Sequence, residues 1–373
     1  MQKRIKMSKD NFQIKNITVF LFFAFSGAYL GNITALSPIY FSVLFGIFSA
    51  AFYISSNGMI GHNFNIFFIV FFIMSLVIYL LFQMVFSNSL SQAKLYIVNY
   101  IFSLFFLPLI IAFYGIINLG NLRLIVKRYL TLSTLFLVLD IIIRFTHIEK
   151  NNILSIYSFK SNGIMYMDSN FSGFFAMINL AFIFYLRDYK IIYFSNKYVF
   201  FQFVIILLNF SRASILGIII LNLFLFTKRQ KFGIKILIYV VFVFFFIFVV
   251  GFITTDGSGK TKIFILSKTI TYLSNVSVKQ FLFGNGLQST HKLFGIDAHN
   301  FITVQLVELG FIGFLLFSSL LLLLYVLTKK AFIYIIIPYC VAGLSMAPII
   351  PYVYAISGIM YLFQGCKTRE KTE

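Results

Sequence analysis

What most limits the fold open to this chain is a recurrence of apolar runs long enough to cross a lipid bilayer; together they take up more than half of it. A hydrocarbon core about 30 Å thick is crossed by about 20 helical residues, and only structures that satisfy their own backbone hydrogen bonds can enter it. The runs fall near 17–31, 33–54, 64–86, 95–118, 130–146, 170–186, 198–210, 213–227, 236–253, 300–327, 331–347 and 350–364. They predict an all-α polytopic integral membrane protein of about twelve transmembrane helices. No internal repeat or low-complexity linker divides the sequence, so residues 1–373 read as a single transmembrane domain. The first run follows a basic stretch but precedes no convincing small-residue cleavage site, and reads as an uncleaved span. The runs at 17–31, 198–210, 213–227 and 350–364 are short for a full crossing.

Charge decides orientation. The chain carries a net charge of +20, which by itself invites a nucleic-acid reading. With the N-terminus inside, however, the inner segments hold Lys3, Arg4, Lys6, Lys9 and Lys15, then Arg123, Lys127 and Arg128, then Arg187, Lys190 and Lys197. They also hold Lys228, Arg229, Lys231 and Lys235, then Lys329 and Lys330, then Lys367, Arg369 and Lys371. These are 20 of the 30 Lys and Arg, as the positive-inside bias requires, so orientation accounts for the charge and nucleic-acid binding is set aside. Both termini are then cytoplasmic. Two larger segments face outward, about 147–169 and about 254–299. In the second, Ile263, Leu266, Ile270 and Leu273 recur at helical spacing with Lys262, Lys268 and Thr269 off that face, which predicts an interfacial helix. Cys340 and Cys366 form neither a disulfide framework nor a metal spacing.

Several polar groups sit where a lipid-facing helix gains nothing from them. Asp297-Ala298-His299-Asn300 opens the run from Phe301 to Leu327, which carries Glu308 and a Gly310-x-x-Gly313 pair. His299 is either tolerated at the interface or a working imidazole, and ionisable groups at such depth are functional by default. On a continuous helix Glu308 lies about 13 Å deeper and half a turn round, too far to orient His299. Asp297 is better placed for that. Glu308 pairs with a cation inside the bundle or holds packing through a hydrogen bond. Ser211-Arg212 stands where two short runs meet; the guanidinium either snorkels to headgroups or, buried beside Ala213 and Gly217, binds phosphate or carboxylate. Asp168 and Asn170 either orient a sugar or cap a helix. Asp140 and Arg144, four apart, pair with each other unless Arg144 turns toward a cavity.

One motif is a decoy. Gly257-Ser258-Gly259-Lys260-Thr261 looks like the end of a phosphate-binding loop, but Thr254 stands where that loop needs its first glycine and no strand precedes it. It reads as a flexible basic loop, with Lys260 and Lys262 able to attract a phosphate-bearing lipid.

Taken together, Phe283-Gly284-Asn285-Gly286-Leu287, Ala298-His299-Asn300 and Val307-Glu308-Leu309-Gly310-Phe311-Ile312-Gly313 resemble the O-antigen ligase and Wzy-type polysaccharide polymerase superfamily. The family's His-Asn, nine residues, Gly, two residues, Gly is met residue for residue. Its Ser-Arg at the head of a span matches Ser211-Arg212, and its Asp-x-Asn matches Asp168-Ser169-Asn170. The motif-bearing part covers about 165–315; the first five spans match in hydropathy alone.

The resemblance implies transfer of a glycan from undecaprenyl diphosphate to a hydroxyl at the outer face of a bacterial cytoplasmic membrane, with inversion and without metal or other cofactor. His299 would serve as base and Arg212 would stabilise the departing diphosphate, with Asp168, Asn170, Asn300, Asp297, Lys260 and Lys262 as substrate contacts and Glu308 and Arg144 in secondary places. Partners would be the lipid-linked oligosaccharide, the bilayer, and a chain-length regulator and flippase of the same pathway. A polymerase is preferred on the skewed Phe, Ile, Lys and Asn usage. An O-antigen ligase is the alternative within the superfamily. A flippase or transporter, the alternative of another class, would show repeat symmetry and charges along a central path.

Overall fold

The computed structural model describes residues 64–86, 91–114, 117–148, 156–228, 230–235, 257–298, 300–346 and 351–369, with some residues between 16 and 27. The expected spans at 33–54 and 236–253, much of 17–31, the basic residues before 16, and His299 lie outside the described residues. The described elements are all helical. In chain order they are α1 (Phe64–Phe86), α2 (Ser91–Ile111), α3 (Leu119–Thr146), α4 (Ile156–Ser161), α5 (Ser169–Asp188), α6 (Asn196–Leu208) and α7 (Arg212–Lys228). There follow α8 (Gly257–Asn275), α9 (Val278–Phe283), α10 (Ser289–Phe294), α11 (Phe301–Thr303), a π turn (Val304–Glu308), α12 (Gly310–Leu327), α13 (Ile333–Gly343) and α14 (Pro351–Arg369).

Four described helices are long and apolar enough to cross a membrane: Phe67–Met84 within α1, then α3, α5 and α12. The helix α1 shows how one segment meets both lipid and protein. Phe67, Phe71, Met74 and Ile78 form an exposed stripe, while Ile69, Ile73, Leu76 and Leu80 on the other side are buried. Both faces are apolar, as a lipid-facing span requires. By contrast, α5 and α14 are wrapped by their neighbours along most of their length. With no hydrophobic force between helices in lipid, close packing holds them together. Gly217 of α7 abuts Pro338 of α13, and Gly358 of α14 abuts Ile110 of α2.

Capping side chains set the helix starts. Asn118, Asp168, Ser195, Ser277 and Asn300 each accept a backbone N–H from the first turn. The cap at Asn118 starts α3 eleven residues before the expected run at 130–146, because Leu119–Tyr129 continues the helix through Arg123, Lys127 and Arg128.

The bundle has two distinct ends. At the first, Tyr334 Oη donates to Asp188 Oδ2 at 2.6 Å, Arg187 Nη2 donates to Asn196 Oδ1 at 2.9 Å, and the Cys366 thiol meets Ile117 O at 3.3 Å. The residues Arg187, Lys190, Lys197, Lys329 and Lys330 gather there. At the second, the Phe159 and Phe210 rings lie 5.1 Å apart, Lys262 Nζ donates to Ser345 Oγ, and Tyr79 Oη donates to Phe283 O at 3.0 Å.

Two expectations are corrected. Gly257-Ser258-Gly259-Lys260-Thr261 is the first turn of α8 rather than a flexible loop. The run 300–327 is not one continuous helix either: after α11 it widens into the π turn, and Gly310 with φ +71° breaks it before α12. A π turn bonds i to i+5, so the carbonyls beyond it lose their helical partners and turn sideways.

Candidate functional site

The second end of the bundle is assembled around three anchors. The first is a wholly buried ion pair. Arg144 Nε donates to Asp140 Oδ2 at 2.9 Å, and its remaining nitrogens donate to the carbonyls of Phe159, Lys160 and Tyr166 and to Ser172 Oγ. Asp140 also accepts from the Ile164 and Met165 amides at 2.7 and 2.9 Å and from Ser172 Oγ at 2.8 Å. The pair thereby pins the 156–168 segment over α3 and α5. Arg144 is committed to this scaffold.

The second anchor is the meeting of the α5 and α7 heads. Asp168 Oδ1 accepts from the Asn170 amide at 2.9 Å, and Asn170 Nδ2 donates to Asp168 Oδ2 at 3.1 Å, so this pair caps α5. Ser211 and Ser214 share a hydrogen bond of 2.8 Å between their buried hydroxyls, and Ser211 packs against Gly173. Arg212 does not follow them inward. It is exposed at the head of α7, which agrees with the snorkelling alternative and not with burial beside Ala213 and Gly217. Gly217 packs on Met177 and Pro338 instead.

The third anchor docks the 257–300 segment. On α8, Ile265 and Thr269 face inward and Thr269 Oγ1 lies 2.8 Å from Thr303 Oγ1, while Ile263, Leu266 and Ile270 are exposed. Lys262 reaches Ser345 beyond the end of α13, and Lys260 is exposed. The following loop lies across the π turn: the Asn285 amide donates to Val307 O at 3.1 Å and the Gly286 amide to Glu308 O at 2.9 Å. Asn285 Nδ2 bonds both Val307 O and Tyr272 Oη. Burial pushes the Tyr272 phenol up, against this hydrogen bond. From α1, Tyr79 donates to Phe283 O and Leu309 O, and Gln83 Nε2 to Phe283 O.

Glu308 belongs to this third anchor. Its carboxylate accepts from the Gln288 amide at 2.9 Å, the Thr290 amide at 3.4 Å and the Thr290 hydroxyl at 2.6 Å. Of the two expected roles, pairing with a cation and holding packing through a hydrogen bond, the described contacts are of the second kind, with the donors on the neighbouring loop. Asp297 Oδ1 lies 3.2 Å from His291 Nδ1, both largely exposed, so its observed partner is His291. Asn300, buried, caps α11 by accepting the Thr303 amide at 2.7 Å.

These anchors bring distant parts of the chain to one place. Phe301 packs on Tyr339 and Gly343 near the C-terminal end of α13. Helix α7 runs antiparallel to α13, with Gly217 opposite Pro338. Five residues, about 7.5 Å at 1.5 Å per residue, separate Gly217 from Arg212 and Pro338 from Gly343. Arg212, Lys262 and Asn300 therefore gather at the same end of α13, and Asp168 and Asn170 cap the adjoining α5. His299, between Ala298 and Asn300, lies outside the described residues. Arg212 and Lys260, both exposed residues, give the described part of this end a positive charge, which suits an anionic ligand. Among the described residues no group of three His, Cys, Asp or Glu side chains could hold a metal ion.

Sequence reasoning placed Thr269 only off the apolar face of an interfacial helix, and passed over Thr290, Tyr79 and Gln83. A signal existed for the last two, a hydroxyl and an amide four apart on a largely apolar span. Thr290 carried none, because its role depends on a carboxylate 18 residues away. No family model matches this chain, and no curated protein matches it.

Proposed function

We propose that the protein is a polysaccharide polymerase of the O-antigen ligase and Wzy-type superfamily. It transfers a glycan from undecaprenyl diphosphate to a hydroxyl of the next lipid-linked repeat unit. The observation that carries this reading is the convergence of Ser211-Arg212 and Asn300-Phe301, far apart in sequence, on the same end of α13. Transfer from a diphosphate needs a cation for the charge that develops on the leaving group and a base for the incoming hydroxyl. Arg212 is the cation. His299 is the base, with an intrinsic pKa near neutrality. Lys260 and Lys262 assist with the diphosphate, and Asp168, Asn170, Asn300 and Asp297 contact the sugars. Departure of a diphosphate asks for little protonation, so paired glycosidase carboxylates are not needed.

The site faces outward from a bacterial cytoplasmic membrane, in a chain of twelve spans with both termini cytoplasmic. Support for that orientation is the cluster of Arg187, Lys190, Lys197, Lys329 and Lys330 at the opposite end of the bundle.

A deletion strain complemented with variants tests the reading by gel analysis of its surface glycan. Polymer is expected to fall by about 100-fold or more in His299→Ala and in Arg212→Ala, with protein in the membrane unchanged. A single repeat unit on the acceptor in the deletion strain supports the polymerase. Normal long-chain glycan in either variant overturns it. A bare acceptor with accumulated lipid-linked polymer identifies a ligase, and a backlog on the cytoplasmic side a flippase.

A further inference from the structure

Two of the helices long and apolar enough to cross a membrane, α5 and α12, finish at the first end of the bundle, and they finish in the same way. At the close of α5 the Ile191 amide donates to Leu186 O at 2.8 Å and the Lys190 amide to Arg187 O at 3.0 Å. At the close of α12 the Lys330 amide donates to Tyr325 O at 2.8 Å and the Lys329 amide to Val326 O at 3.0 Å. Both are Schellman turns, in which the residue after the cap takes a positive φ and is most often glycine. Here it is lysine both times. Lys190 and Lys329 each have φ +52°, and Lys330 follows with φ +68°. A Cβ makes that region unfavourable, and glycine would relieve it.

What the lysines gain is not found on the protein. All three are exposed, and among the described residues none of their ammonium groups has an ion-pair or hydrogen-bond partner. Phe210, with φ +51° after α6, differs, because its ring packs on Phe159 at 5.1 Å. The helix dipole favours a cation near a C-terminus, but Arg187 serves it from the last turn of α5 without entering the left-handed region. The two turns adjoin. Tyr334 Oη donates to Asp188 Oδ2 at 2.6 Å, and the Tyr189 and Tyr334 rings lie 6.2 Å apart. Asp188 is the one carboxylate on these turns, and it accepts that phenol. Tyr193, 81% exposed just beyond Lys190, is the kind of ring that sits at headgroup level.

We propose that the paired turns bind the phosphate of an anionic phospholipid in the leaflet at that end, with Lys190, Lys329 and Lys330 as its cations. A span ends where hydrocarbon gives way to headgroups, so both turns lie at phosphate depth. The carbonyl ends of α5 and α12 offer an anion nothing, so the contact falls to ammonium groups on long stems. Clustered lysines beside a span attract anionic lipid in this manner. The binding is independent of the polymerase reading and concerns the opposite end of the bundle.

Glycine at all three positions removes the charge and the strain together, so it separates the site from the fold. The purified full chain is placed in nanodiscs of phosphatidylcholine, alone or mixed with phosphatidylglycerol, and its thermal unfolding midpoint is read. In phosphatidylcholine alone, the combined Lys190→Gly, Lys329→Gly and Lys330→Gly variant is expected to unfold at the parent midpoint or up to about 4 °C above it. Phosphatidylglycerol is expected to raise the parent by about 4 °C and the triple variant by less than half as much. Lys279→Gln with Lys292→Gln, which removes two exposed cations from the segment docked at the other end, is expected to keep the whole gain. Should the glycine variant accumulate poorly, asparagine at the same positions tolerates the left-handed region and is read in the same way.

An equal phosphatidylglycerol gain in the parent and the triple variant overturns the proposal. So does an equal loss of that gain in the triple and the Lys279 and Lys292 variants, which marks diffuse attraction to charge. A triple variant less stable than the parent in phosphatidylcholine also overturns it, since the lysines would then be holding the turns. Inorganic phosphate that matches the phosphatidylglycerol gain in phosphatidylcholine nanodiscs identifies a free-anion site and overturns the lipid.

Discussion

Asp140→Ala is expected to destabilise the protein by about 3–5 kcal/mol, because it leaves the Arg144 guanidinium buried without its anion. Both side chains have no exposed surface, and the pair has no solvent to fall back on. The loss reaches past the pair. Asp140 also holds the amides of Ile164 and Met165 and the Ser172 hydroxyl, so the whole 156–168 segment loses its seat on α3 and α5. Thermal unfolding of the detergent-purified chain measures the cost, and limited proteolysis at 156–168 reports the release of that segment. Replacing both partners, as in Asp140→Leu with Arg144→Met, is expected to cost less than Asp140→Ala alone, since no uncompensated charge remains buried. A single variant within about 1 kcal/mol of the parent would show that the guanidinium finds another anion or reaches water.

The second large effect concerns Gly284 and Gly310, where two stretches of backbone cross. Gly310 has φ +71° and Gly284 φ +73°, conformations that L side chains rarely adopt. A Cβ on Gly310 would stand 2.6 Å from Leu282 O and run into the Gly284 amide; one on Gly284 would stand 2.6 Å from Gly310 N and run into Glu308 O. Every obstacle is backbone, so no rotamer change relieves it. Gly310→Ala or Gly284→Ala is expected to cost about 3 kcal/mol or more, from left-handed strain plus the steric separation of loop and π turn. The docked loop would come away, exposing 284–298 to protease in the purified chain. Gly313→Ala is the informative control. Its Cβ would meet Leu309 and Tyr79 side-chain atoms at 2.6 and 2.9 Å, which can shift, and a milder loss is expected. Equal damage at 310 and 313 would mean that helix packing, rather than the backbone crossing, is what the Gly-x-x-Gly pair serves.

That contrast shows how far a motif can be read. Gly310 and Gly313 are adjacent members of one sequence pattern, yet the first opens a helix break and the second makes room for the Tyr79 ring. Nothing in their spacing distinguishes the two jobs. Asp140 and Arg144 were more legible, because a pair four apart on one helix face meets whatever the helix packs against. Asp168 and Asn170 lay between: cap chemistry predicts a local hydrogen bond at that position, and the structure has it.

What the sequence determined by itself was local. Apolar runs pointed to the four described helices that are long and apolar enough for a bilayer, since hydropathy and length need no knowledge of neighbours. Tertiary structure decided the rest: the break at 304–310, the exposure of Arg212, the capture of Glu308 by Thr290, and the meeting of Ser211-Arg212 with Asn300 at one end of α13. The physical reason is the same in each case. Polar groups in an apolar bundle take the partners that packing brings within about 3 Å, and those partners come from segments whose sequence separation carries no periodic signal.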